Sequence, residues 1–201
     1  MSHYFTNDAG PMVTREVDAT IFGIDHTFTT ANGVFSGSRL DLGTSVLLRT
    51  VEPPTSGHVL DLGCGFGHIA VGLAAASPGI TVDAVDVNER ALLLTGHNAE
   101  AAGVADRVTA RLPHDVAAGT TYSEIWSNPP IRIGKEALHE LLLQWLPRLE
   151  PDGVAWLVVG KNLGADSLAT WLTGQGWPTA KTASAKGFRI LKTTHGLDAG
   201  A

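Results

Sequence analysis

The chain has 201 residues, of which 44% are hydrophobic and 17% charged, and its formal net charge is −6. That much apolar material buries an ordinary core and excludes a disordered chain, and the single cysteine excludes an internal disulfide. The acidic balance argues against a protein that holds nucleic acid by charge alone. One domain is expected at this length. Met1-Ser2-His3-Tyr4-Phe5-Thr6 lacks the basic start and apolar run of a signal peptide. No apolar stretch approaches the roughly 18 residues of a membrane helix, so a cytoplasmic protein is expected. The charge is uneven. Residues 1–128 hold 6 Lys/Arg and 14 Asp/Glu, whereas residues 129–201 hold 8 and 6. A polyanion would therefore meet the C-terminal part.

In chain order, residues 13–30 read as extended, with Val13, Val17, Ala19, Ile21 and Phe28 near period two and a hairpin turn at Gly23 to His26. Asn32-Gly33 is a second turn signal. A helix is predicted over Asp41 to Val51, stopped by Pro53-Pro54. From residue 58 strands and helices alternate. Strands are predicted around Val59-Leu60 and over 82–87, 108–112, 124–127 and 154–159, with helices over 69–76, 89–102, 135–149 and 165–173. Pro151-Asp152-Gly153 reads as a turn after the third of these helices. Alternation of this kind gives a largely parallel sheet with right-handed crossovers. Two last strands, 179–183 and 188–192, are joined by too short a connection for a crossover and must pair antiparallel. The expected organisation is an N-terminal extension with a β-hairpin over 1–40, an α/β domain over 41–195, and a flexible tail over 196–201.

The most informative segment is Val59-Leu60-Asp61-Leu62-Gly63-Cys64-Gly65-Phe66-Gly67, a strand running into a glycine-rich loop before a helix. Glycine permits a sharp turn and close approach of backbone to ligand. Asp86 ends the next strand, where a carboxylate accepts hydrogen bonds from a ribose diol. Position 68 is His, so the pyrophosphate fingerprint Gly-x-Gly-x-x-Gly is not matched. Asp61 would also be misplaced beside a pyrophosphate, whereas it suits a cationic ligand such as an amine or a sulfonium. Ser127-Asn128-Pro129-Pro130-Ile131 follows the fourth strand of the parallel series. Two prolines cannot continue a central strand, so the chain leaves the sheet there. The Asn128 amide and the Pro129 carbonyl can both accept hydrogen bonds from one NH2 group.

Asp-Leu-Gly-Cys-Gly-Phe-Gly with the downstream Val-Asp-Val-Asn resembles the S-adenosylmethionine loop of class I methyltransferases. The resemblance implies a Rossmann-like α/β fold with a mostly parallel seven-stranded sheet. It implies that Gly63, Gly65 and Gly67 pack against S-adenosylmethionine, that Asp86 holds its ribose with Val87 and Asn88 nearby, and that Asp61 acts through the methionine end. Cys64 reads as a small filler, and Asp115 of Pro113-His114-Asp115 is the candidate acid near the adenine amine.

Asn128-Pro129-Pro130 in this place resembles methyltransferases that act on the amino group of adenine, guanine or a glutamine amide. Other segments narrow the likeness: His3-Tyr4-Phe5, Val34-Phe35-Ser36, Leu40-Asp41-Leu42-Gly43-Thr44, Asn128 to Lys135, and Lys186-Gly-Phe-Arg-Ile-Leu191. Together they resemble small-domain methyltransferases related to the RsmC-type ribosomal RNA guanine-N2 enzymes. Asn128, Pro129 and Pro130 are then the expected catalytic residues. Ile131, Arg132, Lys135 and Lys161 are expected to bind substrate, with Lys186 and Arg189 as further phosphate contacts. Ribosomal RNA or a ribosomal particle is the expected partner. Where relatives carry an aromatic residue after Asn-Pro-Pro, this chain has Ile131, and the extra N-terminal domain of two-domain members is not expected in it. A protein glutamine-amide methyltransferase, a small-molecule methyltransferase and a non-catalytic S-adenosylmethionine-binding assembly factor are the alternatives. No histidine shows paired ligand spacing, so no metal is expected.

Overall fold

The computed structural model describes residues 10–35 and 40–196. His3-Tyr4-Phe5, Ser36 and the tail beyond Gly196 lie outside the described residues. Strands β1 (Thr14–Ile21) and β2 (Ile24–Ala31) pair antiparallel with Ile21 opposite Ile24. The turn between them is therefore only Phe22-Gly23, both at positive φ. Such a two-residue turn matches strand twist, and it places Ile24 to His26 in the strand rather than in the turn expected from the sequence.

The main sheet has seven strands: β3 (Gly57–Leu62), β4 (Ile80–Val85), β5 (Val108–Arg111), β6 (Tyr122–Ser127), β7 (Leu149–Gly160), β8 (Thr179–Ala185) and β9 (Phe188–Thr194). Their order is β5-β4-β3-β6-β7-β9-β8. Strands β3 to β7 run parallel to one another, and β9, antiparallel to β7, forms the antiparallel edge with β8. This is the Rossmann-like methyltransferase architecture that the sequence implies.

Side chains on the central strands alternate between two cores. On one face, Val59, Trp126 and Val158 pack with helices α1 (Leu42–Thr50), α2 (His68–Ala76) and α3 (Glu89–Ala101). Ile21 and Phe28 of the hairpin belong to the same cluster, so the hairpin shares the domain core. On the other face, Leu60, Ile125 and Leu157 pack with α4 (Lys135–Trp145) and α5 (Ala165–Gly174). This two-sided burial follows from the period-two direction of strand side chains.

Two expected boundaries are corrected. Helix α4 ends at Trp145 rather than Leu149, because Pro147 has no N–H to continue the ladder. A 3-10 turn, Leu146–Arg148, then leads straight into β7. Pro151-Asp152-Gly153 is a bulge inside β7, where the register with β6 jumps from Tyr122↔Leu149 to Glu124↔Val154.

The chain winds outward from β3 through β4 to β5, then crosses back to β6 beside β3. The winding therefore reverses between β3 and β6. In open α/β sheets the crevice at the carboxyl ends of such a pair is where ligands bind. Pairing of β3 with β6 ends at Asp61↔Trp126. Beyond it Ser127 Oγ donates to the Leu62 carbonyl at 2.6 Å, a buried tie between the two departing loops.

Candidate active site

The loop from Gly63 to Gly67 is held by backbone bonds to the end of β4. The N–H groups of Gly63 and Cys64 both donate to the Val85 carbonyl, at 2.8 and 3.0 Å. Gly63, Gly65 and Gly67 have φ of 79°, 58° and 85°, a left-handed region costly for any residue with a Cβ. The three differ in surroundings. A Cβ at Gly63 or Gly65 would meet nothing within 4 Å, whereas one at Gly67 would lie 2.8 Å from Thr95 Cγ2. Gly67 thus lets α2 approach α3, and Gly63 and Gly65 leave room above the loop. Cys64 is buried with Sγ 3.6 Å from Thr95 Oγ1, and its burial raises the thiol well above its usual range.

Two carboxylates flank the loop. Asp61 is fully buried; its Oδ2 accepts from the Ala70 N–H at 3.0 Å, at the start of α2. Its Oδ1 is buried without a hydrogen-bond partner. Burial pushes the Asp61 pKa up to about 8, against the Ala70 bond. Asp86, just past β4, accepts from Gly65 N–H and Asn88 N–H, each at 2.9 Å. Burial raises its pKa and those bonds oppose the rise. Val87 beside it exposes 47% of its surface, an apolar face open to a flat ring.

These groups fit S-adenosylmethionine. An unpartnered buried carboxylate oxygen suits the cofactor's ammonium, the open face over Gly63 and Gly65 suits its body, and Asp86 suits a diol. Asn88 has other duties: its Oδ1 caps α3 by accepting from Arg90 N–H, and its Nδ2 donates to the Gly33 carbonyl. Asp115 lies in a 3-10 turn, its side chain 55% exposed and 3.7 Å from His114 Nε2.

Asn128 leaves β6 at the same edge. Its Nδ2 donates to Asp41 Oδ1 at 2.7 Å and to Thr44 Oγ1 at 3.0 Å. Asp41 is also the N-cap of α1, accepting from Thr44 N–H at 3.1 Å. Pro130, at φ −74° and ψ 74°, makes an inverse γ-turn, in which Ile131 N–H donates to the Pro129 carbonyl at 2.8 Å. One lone pair of that carbonyl remains for another donor. Ile131 is half-buried and packs with Ile133 on the α4-side core, so part of its apolar surface is committed to folding.

Arg132, Lys135 and Lys161 are exposed along the carboxyl edge. Lys161 N–H donates to the Gly187 carbonyl, which brings the exposed Lys186 turn to the same edge. Arg189 does not fit its expected role as an open phosphate contact: it is engaged by Asp166 at 3.2 Å and by Ser184 at 2.7 Å.

Residues that sequence reasoning missed are Asp41 and Thr44 as partners of Asn128, and Asn98. Asn98 on α3 is buried, donates to the Thr29 and Phe66 carbonyls and accepts from Thr29 N–H. It joins the hairpin to the glycine loop. An uncharged polar residue inside an otherwise amphipathic helix is the sequence signal for such a tie. Among the described residues, no group of three or more His, Cys, Asp or Glu is placed to hold a metal. No helix there is long and apolar enough to cross a membrane.

The methyltransferase small domain family model matches residues 25–192. The chain is 35% identical over 171 residues to the uncharacterized protein YbxB of Bacillus subtilis, covering 84% of this chain and 85% of that one. It is 33% identical over 178 residues to ribosomal RNA small subunit methyltransferase C of Klebsiella pneumoniae, covering 83% of this chain and 50% of that one. In fold it is similar to the T. thermophilus 16S rRNA N2 methyltransferase RsmC solved with AdoMet and guanosine. That match has a TM-score of 0.75 and 24% identity, and covers 92% of this chain and 51% of that one. The chain thus spans about half the length of these two ribosomal RNA methyltransferases.

Proposed function

Since the chain belongs to the methyltransferase small domain family and is an S-adenosylmethionine-dependent class I methyltransferase, we propose that it methylates an exocyclic amine, guanine N2 in ribosomal RNA. The observation that carries this reading is the meeting of the glycine loop and Asn128 at the ends of the adjacent strands β3 and β6, tied by the 2.6 Å bond from Ser127 to Leu62. Relatives named as ribosomal RNA small subunit methyltransferase C support the RNA acceptor.

S-adenosylmethionine supplies a methyl group already activated on a sulfonium. Gly63, Gly65, Asp61 and Asp86 bind and orient it. Asn128 Oδ1 and the free lone pair of the Pro129 carbonyl accept hydrogen bonds from the acceptor NH2 and draw the nitrogen toward pyramidal geometry. Its lone pair then points across the crevice. The bound cofactor would supply its methyl group to that lone pair from the sulfonium, leaving as the neutral thioether, and the methylated nitrogen would release its extra proton to water. Positioning of this kind supplies much of the rate when the leaving group is already activated.

The net charge of −6 gives little general attraction for phosphate, so shape must supply what charge does not. The reading therefore names an assembled or partly assembled ribosomal particle as the substrate, in the cytoplasm, with Arg132, Lys135, Lys161 and Lys186 along its edge. The test is incubation with labelled S-adenosylmethionine and, in parallel, ribosomal subunits, free RNA or protein extract. Label in particle RNA as N2-methylguanine is expected. Label on a protein glutamine and on no RNA replaces this reading with the glutamine-amide one, which the same Asn-Pro-Pro geometry serves. Equal labelling of a short free oligonucleotide removes the particle preference.

A further inference from the structure

An amide presents a donor at one end and an acceptor at the other, and the two ends differ little in shape. Which end of Asn128 faces the crevice is decided by helix α1. Its Nδ2 lies 2.7 Å from Asp41 Oδ1 and 3.0 Å from Thr44 Oγ1. An ionised carboxylate only accepts, so the NH2 end must face Asp41; the flipped amide would set two oxygens against each other. Both hydrogens of the NH2 are taken, one by each partner. Among the described residues nothing donates to Oδ1, which is left to accept.

The clamp is firmly mounted. Thr44 is fully buried, and Asp41 is held as the cap of α1 by Thr44 N–H at 3.1 Å. Helix α1 is seated on the sheet so closely that a Cβ at Gly43 would fall 2.8 Å from Phe188 Cε1 of β9. Donation to a charged acceptor also polarises the amide and makes its oxygen the better acceptor.

We propose that Asp41 and Thr44 are positioning residues for methyl transfer, fixing Asn128 in the one amide orientation that offers an oxygen to the acceptor, and so restrict the enzyme to acceptors bearing an N–H hydrogen. The inference rests on the reading above, in which Asn128 holds the acceptor amine.

The test uses ribosomal particles assembled on unmodified RNA with labelled S-adenosylmethionine. It reads kcat and KM, S-adenosylhomocysteine affinity, and thermal stability for each variant. Asp41→Asn keeps the helix cap, since Asn and Asp cap equally well, but supplies a neutral group that can itself turn. Its kcat falls about ten-fold, while KM and cofactor affinity stay within about two-fold. Asn128→Asp sets two carboxylates face to face, and kcat falls about a hundred-fold or more. Combining Asp41→Asn with Asn128→Asp exchanges donor and acceptor while an oxygen still faces the crevice, so about ten-fold of the lost kcat returns. A merely structural Asp41 predicts additive losses instead, and additivity overturns the proposal, as does full kcat in Asp41→Asn. Full turnover in Asn128→Ala would bring down the underlying reading of the site. A dead Asn128→Ala beside an unaffected Asp41→Asn would bring down the orientation proposal alone.

Discussion

Asp61 accepts the Ala70 N–H at 3.0 Å through one carboxylate oxygen, while its other oxygen is buried without a partner. With its pKa pushed to about 8, Asp61 is mostly protonated in the free protein at neutral pH. An ammonium group brought against it favours the ionised form. Cofactor binding near pH 7 should therefore release a proton, and affinity should rise by up to about ten-fold per pH unit between pH 6 and 8. Calorimetry of S-adenosylhomocysteine in two buffers of different ionisation enthalpy reads the proton directly. Asp61→Asn should bind more weakly with no such dependence. Absence of proton release in the wild-type protein would mean that Asp61 does not meet the ammonium.

Binding and chemistry should separate at Asp86 and Asn128. Asp86→Ala is expected to weaken S-adenosylmethionine binding by roughly 1–3 kcal/mol, the range for losing hydrogen bonds to a charged group. Asn128→Ala should leave that affinity nearly unchanged and lower turnover ten-fold or more, since a lost transition-state contact of about 1.4 kcal/mol is already ten-fold. Tight NAD binding with no response to S-adenosylmethionine would contradict the cofactor site.

Asn98 should be a stability residue that braces the hairpin against the glycine loop. Replacing it by Ala strands the Thr29 N–H, the Thr29 carbonyl and the Phe66 carbonyl, all of which it now satisfies. A cost of about 2–4 kcal/mol in denaturant unfolding is expected from leaving such groups unpaired. Because the Phe66 carbonyl belongs to the glycine loop, cofactor affinity should fall as well. A change under about 0.5 kcal/mol would mean that the hairpin is not braced through Asn98.

His68 is buried with both ring nitrogens unpartnered and its ring 4.5 Å from that of Phe66. Burial pushes its pKa down to about 4, with Asp41 opposing. The unfolded histidine takes up its proton near pH 6.5, so between pH 6.5 and 4 the unfolded state binds the extra proton and His68 makes stability fall as pH falls. Asp61 has the opposite sign: its folded pKa is raised, and its contribution falls as pH rises from about 4 to 8. His68→Leu removes the first effect only. Relative to wild type it should gain on the order of 2 kcal/mol on going from pH 7 to pH 4.5. Parallel melting curves across that range would show that His68 is not held neutral.

The alternation of apolar runs with amphipathic helices was readable from the chain because strand and helix periods are local properties. So were the antiparallel edge, forced by the short link between β8 and β9, and the glycine loop with Asp86, whose spacing stays within one strand-helix-strand unit. Boundaries failed where a single residue outweighed the pattern: Pro147 ends α4 before its apolar periodicity does, and Phe22 accepts a positive φ. What tertiary structure alone decided is the partnership across the site. Asp41 and Asn128 are 87 positions apart, and nothing local to either marks the other. Seen alone, Asp41 is the first residue of a helix and Asn128 a turn residue. Only the seating of α1 on the sheet brings them to hydrogen-bond distance, because a side-chain bond of that reach depends on ångström-scale placement that packing, not residue spacing, controls.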